Sequence, residues 1–159
     1  MKILIFTEGT IIMHKNALGY PINKVIDQIK RKEKSVHNYS SYIPIKNAPK
    51  KLKNWEKEGH TLIYLTSRRK REEINQIRTV LKRYKFPNGK LLFRKKDENY
   101  SNIAERIMPD ILVEDDCKSI GGKKEMTITN INPKIKKKIK SIVLREFGGI
   151  DNLPDILSK

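Results

Sequence analysis

Four short polar clusters in this chain combine the residue types that phosphate and metal chemistry need. Thr7-Glu8-Gly9-Thr10 follows an apolar run at residues 3–6, and Thr66-Ser67-Arg68-Arg69 follows one at 61–65. Arg94-Lys95-Lys96-Asp97 follows residues 91–93, and Glu114-Asp115-Asp116 follows 111–113. A hard cation such as Mg2+ takes oxygen ligands and keeps several waters, while lysines and hydroxyls hold phosphoryl oxygens. Each cluster alone also fits a chain that has simply reached solvent at the end of a strand. The chemistry therefore depends on whether the four meet.

The elements between the clusters predict that they do. The four apolar runs read as buried strands, with a weaker one at 126–131. Between them lie helical patterns: Val25, Ile26 and Ile29; Leu52 and Trp55; Ile74, Ile77, Leu81 and Tyr84; Ile103 and Ile107. Alternating strands and helices predict an α/β fold, a doubly wound and mainly parallel sheet flanked by helices, with ligands beyond the carboxyl ends of the strands. Residues 1–159 read as one domain. Residues 11–48, with Pro21 and Pro44, are the least regular part and fit a small cap or insert. The run Lys134 to Lys140 places Ile135, Ile139, Ile142 and Val143 on one helical face, which predicts a core-packed helix with a basic outer side. Gly148-Gly149 suits a helix stop, after which Leu153, Ile156 and Leu157 pack back onto the body.

A chain of 159 residues buries roughly 70% of its unfolded surface, enough for a core without staples. The single cysteine, Cys117, excludes an internal disulfide. No apolar run approaches the ~20 residues of a membrane-spanning helix, so the expectation is a cytoplasmic protein with no membrane contact. Lys and Arg number 35 against 18 Asp and Glu, a formal net charge of +17. Such a field attracts phosphate-bearing partners, nucleic acid included. Scattered lysines in a chain also rich in Asn and Ile fit compositional drift as well.

In order and spacing the four clusters resemble the haloacid-dehalogenase-like superfamily. Its first motif is an apolar strand ending Asp-x-Asp-Gly-Thr, and its second a strand ending in Thr or Ser. Its third is a Lys, and its fourth a strand ending in acidic residues. Here Ile5-Phe6-Thr7-Glu8-Gly9-Thr10 resembles the first and Leu65-Thr66-Ser67-Arg68 the second; Lys95 or Lys96 resembles the third and Val113-Glu114-Asp115-Asp116 the fourth. The resemblance implies a Rossmannoid fold with a minimal cap. It implies that Thr66 hydrogen-bonds a phosphoryl group, beside Gly9, Thr10, Ser67 and Arg68, and that Lys95 or Lys96 offsets its charge. It further implies Mg2+ held by Asp115 with Glu114, Asp116 and Glu8, and a catalytic set of Glu8, Thr66, Lys96 and Asp115. Arg68-Arg69 and Leu92-Phe93-Arg94 are similar to the polynucleotide 3'-phosphatase branch, which makes a nucleic-acid end a candidate partner beside a phosphorylated small molecule.

The first motif departs from the family. Phe6 stands where the nucleophilic aspartate belongs, and a phenyl ring cannot attack phosphorus. Thr7 would need an activating base, and strand alternation turns it away from the side shared by Phe6 and Glu8. Two functions are therefore expected. One is a phosphohydrolase-related protein that acts on or binds a phosphorylated ligand with Mg2+, its activity altered or lost. The other is a non-catalytic basic module on the same fold that binds nucleic acid or a partner. Cys117 reads as a packed thiol, and His14, His37 and His60 lack ligand-like spacing. Gly121-Gly122-Lys123-Lys124 fits a flexible turn, with a phosphate-cradling nest as the alternative.

Overall fold

A computed structural model describes residues 1–158. The described residues hold seven strands and six α-helices, with four 3-10 segments among them. β1 is Lys2–Phe6, β2 Ile12–Met13, β3 Ile43–Pro44, β4 Thr61–Leu65, β5 Lys90–Leu92, β6 Ile111–Asp115 and β7 Lys140–Leu144. α1 is Ile22–Lys30, α2 Ala48–Lys57, α3 Arg71–Arg83, α4 Tyr100–Ile107, α5 Thr127–Asn130 and α6 Pro133–Lys136.

The main sheet has the order β5-β4-β1-β6-β7, and every pairing in it is parallel. β1 is apolar and covered on both faces, as a central parallel strand must be. Ile3 and Ile5 point into one core with Leu52, Trp55 and Ile77, so α2 and α3 cover that face. Leu4 points into the other with Ile103, Ala104 and Ile128, so α4 and α5 cover the opposite one. The chain builds outward from β1 through β4 to β5, then returns to place β6 on the other side of β1. Strand order thus reverses at β1, and the crevice beyond the carboxyl ends of β1 and β6 is where such sheets hold ligands.

Two expected elements change type. The expected strand at 126–131 instead holds the short helix α5, Thr127–Asn130, because its first amides find an anion: Glu114 accepts from Thr127 N at 2.7 Å and Ile128 N at 2.9 Å. The expected basic helix ends after one turn at Lys136. The Asn132 side chain caps α6 by accepting from Lys134 N at 2.9 Å, and the chain from Lys140 is strand. Ile142 and Leu144 are half-buried while Val143 faces out, a period of two that the β-branched pair favours over a helix. Gly148 and Gly149 accordingly close a turn after a strand, with φ +79° at Gly149.

Residues between β1 and α2 form a separate layer. β2 and β3 pair antiparallel, and α1 packs Val25 and Ile26 against Ala17, Ile45 and Phe147. Phe147 lies in the turn after β7, so this layer rests on the far end of the chain. At the tail Leu157 is buried and Leu153 half-buried, but Ile156 is 72% exposed and does not pack as expected. Among the described residues no helix is long and apolar enough to cross a membrane.

Candidate functional site

A cavity of about 1070 Å³ opens at the carboxyl ends of the strands, and its lining includes Phe6, Glu8, Gly9, Arg68, Asp115 and Glu146. Two groups of side chains contribute to it.

The acidic group lies beyond β6 and β7. Single carboxylate oxygens of Asp115, Asp116 and Glu146 lie within 4.8 Å of one another. Each carboxylate is aimed by local donors. Asp115 accepts from Cys117 N at 2.9 Å and Thr10 Oγ1 at 2.9 Å. Asp116 accepts from Glu146 N at 3.2 Å, and Glu146 from Ser119 N at 2.7 Å and Ser119 Oγ at 2.6 Å. Gly9 makes the close approach possible. Its φ is +82°, and a Cβ there would stand 2.9 Å from Asp115 Oδ2. Burial, opposed by these hydrogen bonds, raises the Asp115 and Glu146 carboxyls above their usual range. Among the described residues no lysine or arginine pairs with any of the three. In a chain of charge +17, an unpaired acidic triad supplies an all-oxygen donor set suited to a hard divalent cation.

The second group lies beyond β4. Glu8 Oε1 accepts from Thr66 Oγ1 at 2.6 Å and lies 3.5 Å from Arg68 Nε, and Glu8 Oε2 accepts from Ser67 N at 3.3 Å. Thr7 Oγ1 also donates to Glu8. The Arg68 guanidinium donates to Tyr39 Oη and to Ser67 Oγ, and sits 4.6 Å over the Tyr39 ring. Phe6 and Tyr100 stand edge to face at 5.0 Å, with Arg94 4.1 Å above Tyr100.

Several expected site residues take other places. Both oxygens of Glu114 are committed to the α5 amides, so it acts as a helix cap and stands outside the acidic triad. Glu8 is likewise outside that triad, held by the β4 donors. Lys95 and Lys96 are exposed and do not line the cavity; the cation that does so from this segment is Arg94. Thr66 and Thr10 are fully buried, one behind Glu8 and the other behind Asp115. Thr7 is buried and outside the lining, but, lying past the end of β1, it turns its hydroxyl to Glu8 instead of away from it as strand parity predicts.

Glu146 and Tyr39 stand outside the four sequence clusters, whereas Arg94, the first residue of the third cluster, takes the place expected of Lys95 or Lys96. Glu146 stands after an apolar run, as the other acids do, but the spacing of Ile135, Ile139, Ile142 and Val143 predicts a helix there, not the strand β7. Burial and the surrounding carboxylates push the Cys117 thiol well up, so it is no thiolate nucleophile. The amides of Gly121 and Gly122 donate to Cys117 O and form no anion nest. His37 and His14 reach the lining, whereas His60 lies at the amino terminus.

No protein-family model and no curated protein matches the chain. Among solved structures, it is similar to the class C acid phosphatase from Bacillus anthracis with tungstate bound. The TM-score is 0.59 at 14% identity, covering 93% of this chain and 68% of that one. The order β5-β4-β1-β6-β7, the acids beyond β6 and this likeness agree that the chain has a haloacid-dehalogenase-like fold.

Proposed function

We propose that this chain binds a phosphorylated ligand together with a divalent cation, Mg2+ being the natural choice, in the cavity beyond β1, β4 and β6. The observation that carries the reading is the triad Asp115, Asp116 and Glu146, within 4.8 Å and free of any lysine or arginine partner among the described residues, of which Asp115 and Glu146 line the same cavity as Ser67, Arg68 and Arg94. A bound divalent cation would neutralise phosphoryl oxygens and so favour both binding and attack at phosphorus. The carboxylates of Asp115, Asp116 and Glu146 would hold it. Arg94 and Arg68 would orient the rest of the ligand, and residues 11–48 would serve as a small cap, since Tyr39 and His14 reach the lining from that layer.

With Phe6 at the end of β1, a covalent aspartyl-phosphate route has no nucleophile. Hydrolysis at this site therefore proceeds by direct attack of water on phosphorus, with the ester oxygen as the leaving group. The test is a panel of phosphoesters with Mg2+ on the natural chain and on Asp115→Asn, read by calorimetry, phosphate release and intact-mass spectra. The expected result is Mg2+-dependent ligand binding that Asp115→Asn abolishes, with no phosphoprotein. Equal Mg2+ binding by both proteins would overturn the reading.

A further inference from the structure

The donors beyond β4 already hold an anion, and it belongs to the chain itself. Thr66 Oγ1, Ser67 N and the Arg68 guanidinium converge on the Glu8 carboxylate at 2.6, 3.3 and 3.5 Å. A hydroxyl, a backbone amide and a guanidinium around one pair of oxygens make a general oxyanion cradle, equally suited to a phosphoryl group. We propose that Glu8 is an internal competitor, its carboxylate occupying an oxyanion cradle that a phosphoryl group reaches only when Glu8 swings out. The inference rests on the phosphate-binding reading above and adds a regulator to the same site.

Three features support it. Thr66 is fully buried and absent from the cavity lining, whereas Glu8 lines it, so Glu8 stands between the cavity and the hydroxyl. Arg68 Nε is buried yet makes no hydrogen bond, since Glu8 at 3.5 Å is too far, so one donor of the cradle stays unsatisfied by the internal anion. Arg68 is also anchored without Glu8, through Tyr39 Oη, Ser67 Oγ and the Tyr39 ring, so the cradle keeps its shape when the carboxylate leaves. Two anions cannot share these donors, because like charges at such separations repel.

The probe is inorganic phosphate, titrated calorimetrically at low ionic strength into the natural chain, Glu8→Ala, Glu8→Gln and Glu8→Ala/Thr66→Val. Glu8→Ala is expected to bind at least about tenfold tighter than the natural chain, the scale of one charge-assisted hydrogen bond regained. Glu8→Gln, which keeps the shape and loses the charge, should gain less, and adding Thr66→Val should cancel the gain. The double variant separates an opened cradle from a mere rise in net charge. Should Glu8→Ala fail to fold, Glu8→Gln carries the test alone. Phosphate affinity unchanged in both Glu8 variants, or a gain that survives Thr66→Val, overturns the inference. Mg2+ titrated into the same samples and into Asp115→Asn keeps the two readings apart. Mg2+ binding through Asp115 without a phosphate gain sinks only the competitor. A phosphate gain without Mg2+ binding sinks only the cation site.

Discussion

Gly9 is the point at which the end of β1 touches the acids beyond β6. A methyl group there would lie 2.9 Å from Asp115 Oδ2 and 3.4 Å from Glu146 Cγ, on a backbone with φ +82°. Gly9→Ala is therefore expected to cost about 1–3 kcal/mol in a denaturant titration, from strain at a left-handed position. It should also spread the acidic triad and weaken Mg2+ binding in calorimetry. Glu114 is the contrasting acid. Glu114→Ala leaves the buried amides of Thr127 and Ile128 unpaired, an expected loss of about 1–3 kcal/mol. Its Mg2+ affinity should stay unchanged if capping is its task, whereas Asp115→Asn should lose Mg2+ binding.

At the scale of elements, the layer over the cavity depends on one buried histidine. Gln28 Nε2 donates to Asn16 O at 3.1 Å, which turns Gln28 Oε1 toward His14 Nε2 at 2.7 Å. His14 Nε2 therefore carries the hydrogen, and the buried Nδ1, which has no partner, is the bare nitrogen. Protonation would place an unpaired cation between Tyr42 and Phe147. Burial lowers the His14 pKa, only partly opposed by Gln28 and Glu33. A depressed folded pKa means that the stability His14 supports is complete above its ordinary value and is lost as pH falls through the folded one. Thermal melts from neutral to mildly acidic pH should show the natural chain losing stability more steeply than His14→Gln, which keeps an amide donor for Gln28 and cannot titrate in this range.

For the whole molecule, the acidic triad is a cost that a cation relieves. Asp115 and Glu146 have folded pKa values raised by burial. The stability they lend is complete below the ordinary carboxylate value and is lost as pH rises through the raised one. In chelator, melts should show this loss between acid and neutral pH. Added Mg2+ should reverse it at neutral pH and do nothing in acid, where the carboxyls hold protons. Asp115→Asn should melt higher than the natural chain in chelator and not respond to Mg2+. The +17 charge acts on a longer range. It is expected to give binding to single-stranded nucleic acid that weakens steeply with salt. That binding should be indifferent to Asp115→Asn if it belongs to the general field.

The sequence alone determined the alternation of strands and helices and the polar cluster after each buried run, because period and burial are written locally. It also gave Asp115, Asp116 and Thr66 their places at the sheet rim and left Phe6 where a nucleophile would stand. Only the tertiary structure decided which acids meet. Glu114 and Asp115 are neighbours, yet strand parity and the α5 amides draw one away as a cap while Thr10 and Cys117 aim the other at Asp116. Glu146 joins them because β7 pairs with β6, a contact across some thirty residues that no local pattern in the Lys-rich stretch reveals. The same holds for Glu8: its type and position were legible, but its engagement by Thr66, Ser67 and Arg68 exists only because β1 and β4 lie side by side.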